Sequence, residues 1–365
     1  MIKYIDIVNF MIIKYESSSI SDICMASIIT IVLFARRTLL AALWSLSLLV
    51  TPFQVVAQTS GADATRWPER PIKIIAPDAP GAGNDVFIRL IAPLLAQALG
   101  VPVVIDNRPG AGGRIGVESV SRSAPDGYTL LVGNAGSNGI NAAIYQNLPY
   151  DLERDFEPLS LLVTGPNVLV VNTRTMPVDG VVGLVEALKR RPGEINFAMT
   201  APGGSAHMMT ELFRIRTGTD LVTVPYKGAP DMARGIVSGE VHANFNNLSN
   251  ILPQIQSGSV RAIAVTSQAQ SPLLPGVRTM LEQGITDFEA IAWTALFAPR
   301  GTPKAITDKL ATALASLRNV PGLAERVRAQ GGQLELSDAM TLRKRVGSDI
   351  EKWRTVAQKA RITAE

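Results

Sequence analysis

Ile72-Lys73-Ile74-Ile75-Ala76 runs directly into Pro77-Asp78-Ala79-Pro80-Gly81-Ala82-Gly83-Asn84-Asp85, and a helical pattern then extends from Val86 to Leu99. A β-branched apolar run, a turn of Pro, Gly and small polar residues, and a long helical stretch read as strand, loop and helix. The order recurs along the chain. Val103-Val104-Ile105 is a second strand, Arg114–Ser123 a helix and Leu130-Leu131-Val132 a third strand. Leu169-Val170-Val171, Asn196-Phe197-Ala198, Leu221-Val222-Thr223-Val224 and Arg261-Ala262-Ile263-Ala264-Val265 continue the series. Such alternation predicts an α/β protein with parallel sheets. Near the end, Thr302 as N-cap and Pro303 as first helical residue open a helix with Ile306, Leu310, Leu314 and Leu317 on one stripe. A last helix, Ala339–Lys359, carries Lys344, Arg345, Glu351, Lys352 and Arg354 as a solvated face.

Composition narrows the class. Of 365 residues, 47% are hydrophobic and 18% charged, which is enough for packed cores and excludes disorder. The only cysteine, Cys24, cannot build a disulfide framework, and two histidines, His207 and His242, cannot build a polyhistidine metal centre. A net charge of +4 lacks the dense basic tracts of a nucleic-acid binder. No cofactor is implied. About 300 residues beyond the amino end exceed one comfortable core, so two α/β lobes are expected.

The amino end is set apart. Arg36-Arg37, the apolar run Thr38–Val50 and the small-residue stretch Val55-Val56-Ala57 form a secretory signal peptide cut near Ala57. The run is short for a membrane span, although Ile28–Phe34 leaves an uncleaved anchor as the alternative. Residues 1–34, with Lys3, Asp6, Lys14, Glu16 and Asp22, fit no signal peptide, which points to a translation start at Met25 or nearby. Cys24 lacks the small residue that precedes a lipid-modified cysteine. Removal of 1–57 leaves a cysteine-free chain of charge +3.

Open α/β sheets bind ligands beyond the carboxyl ends of their strands. Four loops there carry glycines and small polar residues: Pro77–Asp85, Asn107–Gly116, Gly133–Asn138 and Thr200–His207. At each, backbone N–H groups and a helix start can face an anion, so together the loops could cradle a carboxylate without an arginine. Each alone reads first as a plain turn, since turn geometry by itself requires glycines between strand and helix. Val86 stands where a dinucleotide fingerprint needs its third glycine, and no P-loop lysine follows a glycine. Ser137 and Ser205 sit in Ala135-Gly136-Ser137-Asn138-Gly139 and Gly203-Gly204-Ser205-Ala206-His207, neither of which completes G-x-S-x-G. His207 and His242 read as structural histidines, and Trp293 and Tyr128 as core aromatics.

In this order, the segments resemble the Bug-type periplasmic receptors of tripartite tricarboxylate transporters. The matching text is Trp67-Pro68 with Pro71-Ile72-Lys73, Pro80-Gly81 through Asp85, Asn107-Arg108-Pro109-Gly110-Ala111-Gly112-Gly113, Ala124-Pro125-Asp126-Gly127-Tyr128-Thr129-Leu130, Leu148-Pro149-Tyr150-Asp151, Val224-Pro225-Tyr226-Lys227-Gly228, Ala298-Pro299 with Gly301-Thr302-Pro303, and Lys352-Trp353. The resemblance covers nearly everything from Trp67 onward. It implies a type II periplasmic-binding-protein fold, with mainly parallel sheets in two lobes around a central cleft: 67–168 plus 291–365, and 169–290. It also implies a ligand carboxylate held mainly by backbone N–H groups. The site would draw on Gly81, Ala82, Gly83, Asn84, Asp85, Ser137 and Asn138 on one side, and on Thr200, Gly203, Gly204, Ser205 and His207 on the other. Tyr226 and Asn246 would line the floor. Asp85 and Ser205, at helix starts, could instead act as caps. Departures from the family pattern are Ala82 for a glycine, Asn84 where Thr is common and Asn246 where Asp is common.

The expected role is a monomeric periplasmic receptor. It would capture a small mono- or dicarboxylate, aromatic ones included, and deliver it to integral membrane permease subunits. The alternatives are a ligand-presenting sensor for a membrane histidine kinase and a secreted hydrolase using Ser205, His207 and Asp85.

Overall fold

Strand β1 (Ile72–Ala76) is paired on both edges, parallel to β2 (Val103–Asn107) and to β3 (Thr129–Asn134). Ile72, Ile74, Ile75 and Ala76 are buried, as a strand covered on both faces requires. The computed structural model describes residues 66–362. The chain divides into units Met1–Thr59 and Ser60–Glu365, and every described residue belongs to the second. The expected leader with its cleavage near Ala57, the start near Met25 and Cys24 lie outside the described residues.

Helix α1 (Gly83–Leu99) starts three residues before the apolar pattern does, because its first turn is polar. Phe87, Ile88, Ile91 and Leu95 then form its buried stripe, and Gly100 closes it in a left-handed conformation at φ 75°. Helices α2 (Arg114–Ser121) and the short α3 (Asn141–Ile144) follow β2 and β3.

The longest strand, β4 (Phe156–Val171), was visible in the sequence only as Leu169–Val171, because Gly165-Pro166 reads as punctuation. The chain continues through that dipeptide because β4 changes partners there. Residues Phe156–Pro166 pair antiparallel with β9 (Ile291–Pro299), whereas Asn167–Val171 pair with β7 (Ala243–Asn247) and β8 (Arg261–Val265). Proline, having no N–H to give a ladder, falls at the switch. Beyond it, β5 (Asn196–Met199) lies parallel to β6 (Val222–Pro225) and β7. The sheet order is β2-β1-β3-β9-β4-β7-β5-β6, with β8 and the short β10 (Gln333–Leu334) also on β4. The outer strands are thus parallel, and the antiparallel pairs come from the crossing strands β4 and β9.

Each half of this sheet is packed on both faces, giving an α/β fold of two lobes. Ile72, Ile74 and Leu130 pack against α1 and against α8 (Lys304–Ser316) and α9 (Leu323–Ala329). On the opposite face, Ile75, Leu131, Phe156 and Trp293 meet Val117 and Val120 of α2. In the other half, Leu169, Phe197 and Phe245 pack on α4 (Val181–Arg190) and α5 (Ser205–Thr217). Val168, Val170 and Ala198 pack on α6 (Ala229–Ser238) and α7 (Leu248–Gln256). The last helix, α10 (Ala339–Ala360), serves both halves. Leu342 and Val346 join the Trp293 cluster, while Trp353, Val356 and Ala357 join the Phe197 cluster. Among the described residues, no helix is long and apolar enough to cross a membrane.

Local expectations are refined in three places. Thr302 does not cap α8: its hydroxyl donates to the Pro299 carbonyl at 2.7 Å, and Pro303 takes the cap position. Tyr128 lies at the edge of the core, half-buried: it packs against the Trp67 cluster and carries the Arg70 guanidinium over its ring at 3.9 Å. Trp293 is buried, but its indole N–H donates to buried Asp349 at 2.6 Å. The stripe Ile306, Leu310, Leu314 and Leu317 is buried as its spacing requires. Leu310→Ala is expected to cost about 2–5 kcal/mol, since it empties a fully buried position. Urea unfolding at neutral pH checks this through the shift in midpoint.

Candidate functional site: a cleft walled by helix starts

The loops that follow β1, β2, β3 and β5, together with the end of β7, surround a cavity of about 360 Å³. In the first loop, the Gly81 N–H donates to Asp85 Oδ2 at 2.9 Å. Asp85 also accepts from Arg89 Nε and from Asn107 Nδ2, each at 2.9 Å, and Asn107 donates to the Asp78 carbonyl at 3.0 Å. This knot ties the start of α1 to the ends of β1 and β2. Burial pushes the Asp85 carboxyl up, but the hydrogen bonds from Arg89, Gly81 and Asn107 outweigh it and hold its pKa below the ordinary value.

Asp78, quoted with the first loop but given no role there, lines the cavity. Its Oδ2 accepts from Asn84 Nδ2 at 2.9 Å and from Asn134 Nδ2 at 2.8 Å. Asn84 is itself held by the Thr294 hydroxyl at 2.7 Å, so β9 helps to position the wall. Asn134 Oδ1 accepts the Ser137 N–H at 2.8 Å and caps the helical turn Ala135–Ile140. Asn138 is fully buried beneath, its Oδ1 accepting from the Ser137 hydroxyl at 2.6 Å.

On the facing wall, α5 opens at Ser205 after Gly204. The first amides of a helix have no partner inside it, so those of Ser205, Ala206 and His207 point forward from its start. Gly203 adopts φ +73°, and its N–H donates to His207 Nδ1 at 2.9 Å. A side chain at Gly203 would also strike Ile144. The His207 ring thus holds the turn from behind, and burial, helped by Arg214, pushes its pKa down against the pull of Glu211. His242 Nδ1 likewise accepts the Asn196 N–H at 2.9 Å.

The two walls touch. The Gly83 N–H, expected to be free for a ligand, donates to Asn250 Oδ1 of α7 at 2.7 Å, and any side chain at Gly83 would collide with Ser249. Asn250 in turn donates to Asn246 Oδ1 at 3.2 Å, leaving the buried Asn246 Nδ2 with no acceptor among the described residues. Among the described residues, Asp78 and the exposed Lys227 are the charged side chains that line the cavity, and no arginine does.

Of the residues singled out from sequence, Ala82, Gly83, Asn84, Ser137, Thr200, Gly204, Ser205 and Asn246 line this cavity. Gly81, Asp85, Asn138, Gly203 and His207 stand behind it and shape its loops. Tyr226 packs against Gly235 of α6, and its neighbour Lys227 reaches the cavity instead. Sequence reasoning missed Asp78, Asn134, Lys227 and Asn250. A lone acid in a Pro/Gly loop was a readable signal for Asp78, while nothing local marks Asn250.

Comparison with known proteins fits a class of two-lobed receptors. Residues 87–362 match the model of the tripartite tricarboxylate transporter family receptor, and the chain belongs to that family. It is 36% identical to protein BugT of Bordetella pertussis over 296 residues, covering 81% of this chain and 90% of that protein. An R. palustris protein solved with adipate superposes with a TM-score of 0.78 at 33% identity, covering 81% of this chain and 99% of that one. MatC from Rhodopseudomonas palustris with bound malate gives 0.75 at 30% identity, covering 80% and 99%.

The Asp85 knot has a testable pH signature. A carboxyl whose folded pKa is depressed adds stability above its unfolded value, and that stability is lost as pH falls through the folded value. Asp85→Asn is therefore expected to lose about 1–2 kcal/mol at neutral pH, Arg89 being half exposed. The gap to the unsubstituted protein should shrink below about pH 4. Denaturant titrations at neutral and acid pH measure both.

Proposed function

We propose that the protein is a periplasmic solute receptor that captures a small mono- or dicarboxylate by closing two lobes over it, and delivers it to the integral membrane permease subunits of a tripartite tricarboxylate-type transporter. The observation that carries this reading is the facing of the α5 start, with its outward amides, onto a cavity that no arginine among the described residues lines. A helix start offers both N–H donors and a partial positive charge to an anion. That family relatives were solved with adipate and malate supports a small carboxylic acid as the cargo.

In this reading, the lobes are 67–168 with 291–365, and 169–290, joined by the crossing strands and by α10. Thr200, Gly204 and Ser205 hold the carboxylate from one lobe. Ala82, Gly83, Asn84 and Ser137 meet it from the other, with Asn246 at the floor. Gly81, Asp85, Asn138, Gly203, His207 and Tyr226 fix the loops that present these groups. The Gly83 to Asn250 hydrogen bond would have to yield, or be kept as part of the closed state, when ligand enters. The closed state is favoured because the ligand contacts both walls only there. The signal-peptide pattern through Ala57 supports export to the periplasm, and function as a monomer follows the family resemblance.

The hydrolase alternative has little support from geometry, since His207 Nδ1 is engaged by the Gly203 N–H. A sensor role would use the same cleft and differ only in the membrane partner. Thermal-shift screening of acidic metabolites tests capture directly. A ligand at 100 times its dissociation constant should add about 2.7 kcal/mol of apparent stability. Gly204→Val, whose Cβ would meet Thr200 Oγ1 at 3.0 Å and the Ala201 carbonyl at 3.1 Å, should have a lowered ligand-free melting temperature and lose the ligand-induced rise above it. If no acid stabilises the protein, or the variant keeps the rise, the reading is wrong.

A further inference from the structure

We propose that Asp78 makes this cleft selective for carboxylic acids that also carry a hydrogen-bond donor, a hydroxyl or an ammonium group, and disfavours unsubstituted acids of the same length. The inference rests on the reading of the cleft as a carboxylate site and specifies which carboxylates it takes.

The Asp78 carboxyl is firmly held. Oδ2 takes both amide donors, from Asn84 at 2.9 Å and Asn134 at 2.8 Å. Neither amide is free to turn away. Asn84 is anchored through Oδ1 by the Thr294 hydroxyl, and Asn134 through Oδ1 by the Ser137 N–H. The carboxyl plane is thereby fixed, and Oδ1 meets no donor among the described residues although Asp78 lines the cavity.

Among the described residues, no cation pairs with this group. Arg89 is committed to Asp85 and Asn107. Arg108, on the β2 side, pairs with Asp106, and Arg114 lies over the Tyr145 ring. Lys227 is exposed on the facing wall and makes no ion pair. Asp85, the nearest acid, adds like charge, and burial is the leading cause that raises the Asp78 pKa despite its two amide partners.

An unsubstituted dicarboxylate that brings oxygen lone pairs to Oδ1 meets repulsion there. A hydroxyl or ammonium group meets an acceptor already aligned for it. A charge-assisted hydrogen bond of this kind corresponds to about tenfold or more in affinity. Towards this donor-selective contact Asn134 acts as a positioning residue, Asn84 positions the carboxyl as well as lining the cavity, and Asp78 is the group that touches the ligand's donor.

The test uses matched acids differing only in the donor: succinate, malate and aspartate, and adipate with 2-aminoadipate. Their dissociation constants are measured by isothermal titration calorimetry, at a pH where Asp78 is ionised, on the unsubstituted protein and on Asp78→Asn. The unsubstituted protein should bind the donor-bearing member of a pair at least about tenfold more tightly. In Asp78→Asn, the new amide oxygen takes the two asparagine donors and its NH2 faces the cavity, so the ratio should fall to about one or invert. Equal or tighter binding of the unsubstituted acids by the unsubstituted protein overturns the proposal, and so does an unchanged ratio in the variant. If Asp78→Asn does not fold, the matched pairs on the unsubstituted protein still decide. Failure of every acid to bind would instead overturn the carboxylate reading beneath it.

Discussion

A single strand passing from one sheet half to the other is the constraint on which the rest depends. β4 serves β9 up to Pro166 and β7 and β8 from Asn167 onward, so one continuous backbone joins both halves. β9 runs beside its first part and supplies Thr294 to Asn84 at the cleft. The crossing strands therefore do two things at once: they join the lobes and they set the height of the first loop. α10 braces the same seam, with Leu342 and Val346 in one core, Trp353 and Val356 in another, and Asp349 accepting the Trp293 N–H between them.

From that frame, the cleft is built from neutral amides. Asn84, Asn134, Asn246 and Asn250 each carry both donor and acceptor atoms, so one side chain can satisfy a loop and still offer a polar edge. Behind the wall, Asp85 is neutralised in place by Arg89, whereas Asp78, on the wall, is held by the amides of Asn84 and Asn134. Burying a net charge without such partners is costly, whereas an amide network can be desolvated at modest cost. A cleft of this kind is ready for an anion without carrying a resident arginine that would need its own counter-ion in the open state.

Much of the fold was legible because it follows local pattern. Ile72–Ala76 and Arg261–Val265 begin and end where their β-branched runs do, and the stripe from Ile306 to Leu317 is buried as its spacing demands. The reading failed where tertiary pairing overrides local signal. Gly165-Pro166 looks like a break and is a partner switch, and Ala243–Asn247 is a strand despite three asparagines, because it sits between β4 and β5. At the site, glycine loops and helix starts could be found from sequence, since turn chemistry is local. Which polar atoms face the cavity could not, because the Gly83 to Asn250 contact spans 167 positions.

The floor of the cleft shows how one substitution changes what a similar fold offers. Asn246 Oδ1 is used by Asn250. An aspartate could accept that same hydrogen bond, so the local architecture does not require the amide. The difference lies in the other atom: Nδ2 is a buried donor without an acceptor among the described residues, where an aspartate would place a second acceptor. A buried unpaired donor costs free energy that an incoming acceptor recovers. α5 presents N–H groups from the wall, whereas Asn246 Nδ2 is closed off from solvent, so an incoming acceptor reaches it only if that side chain turns.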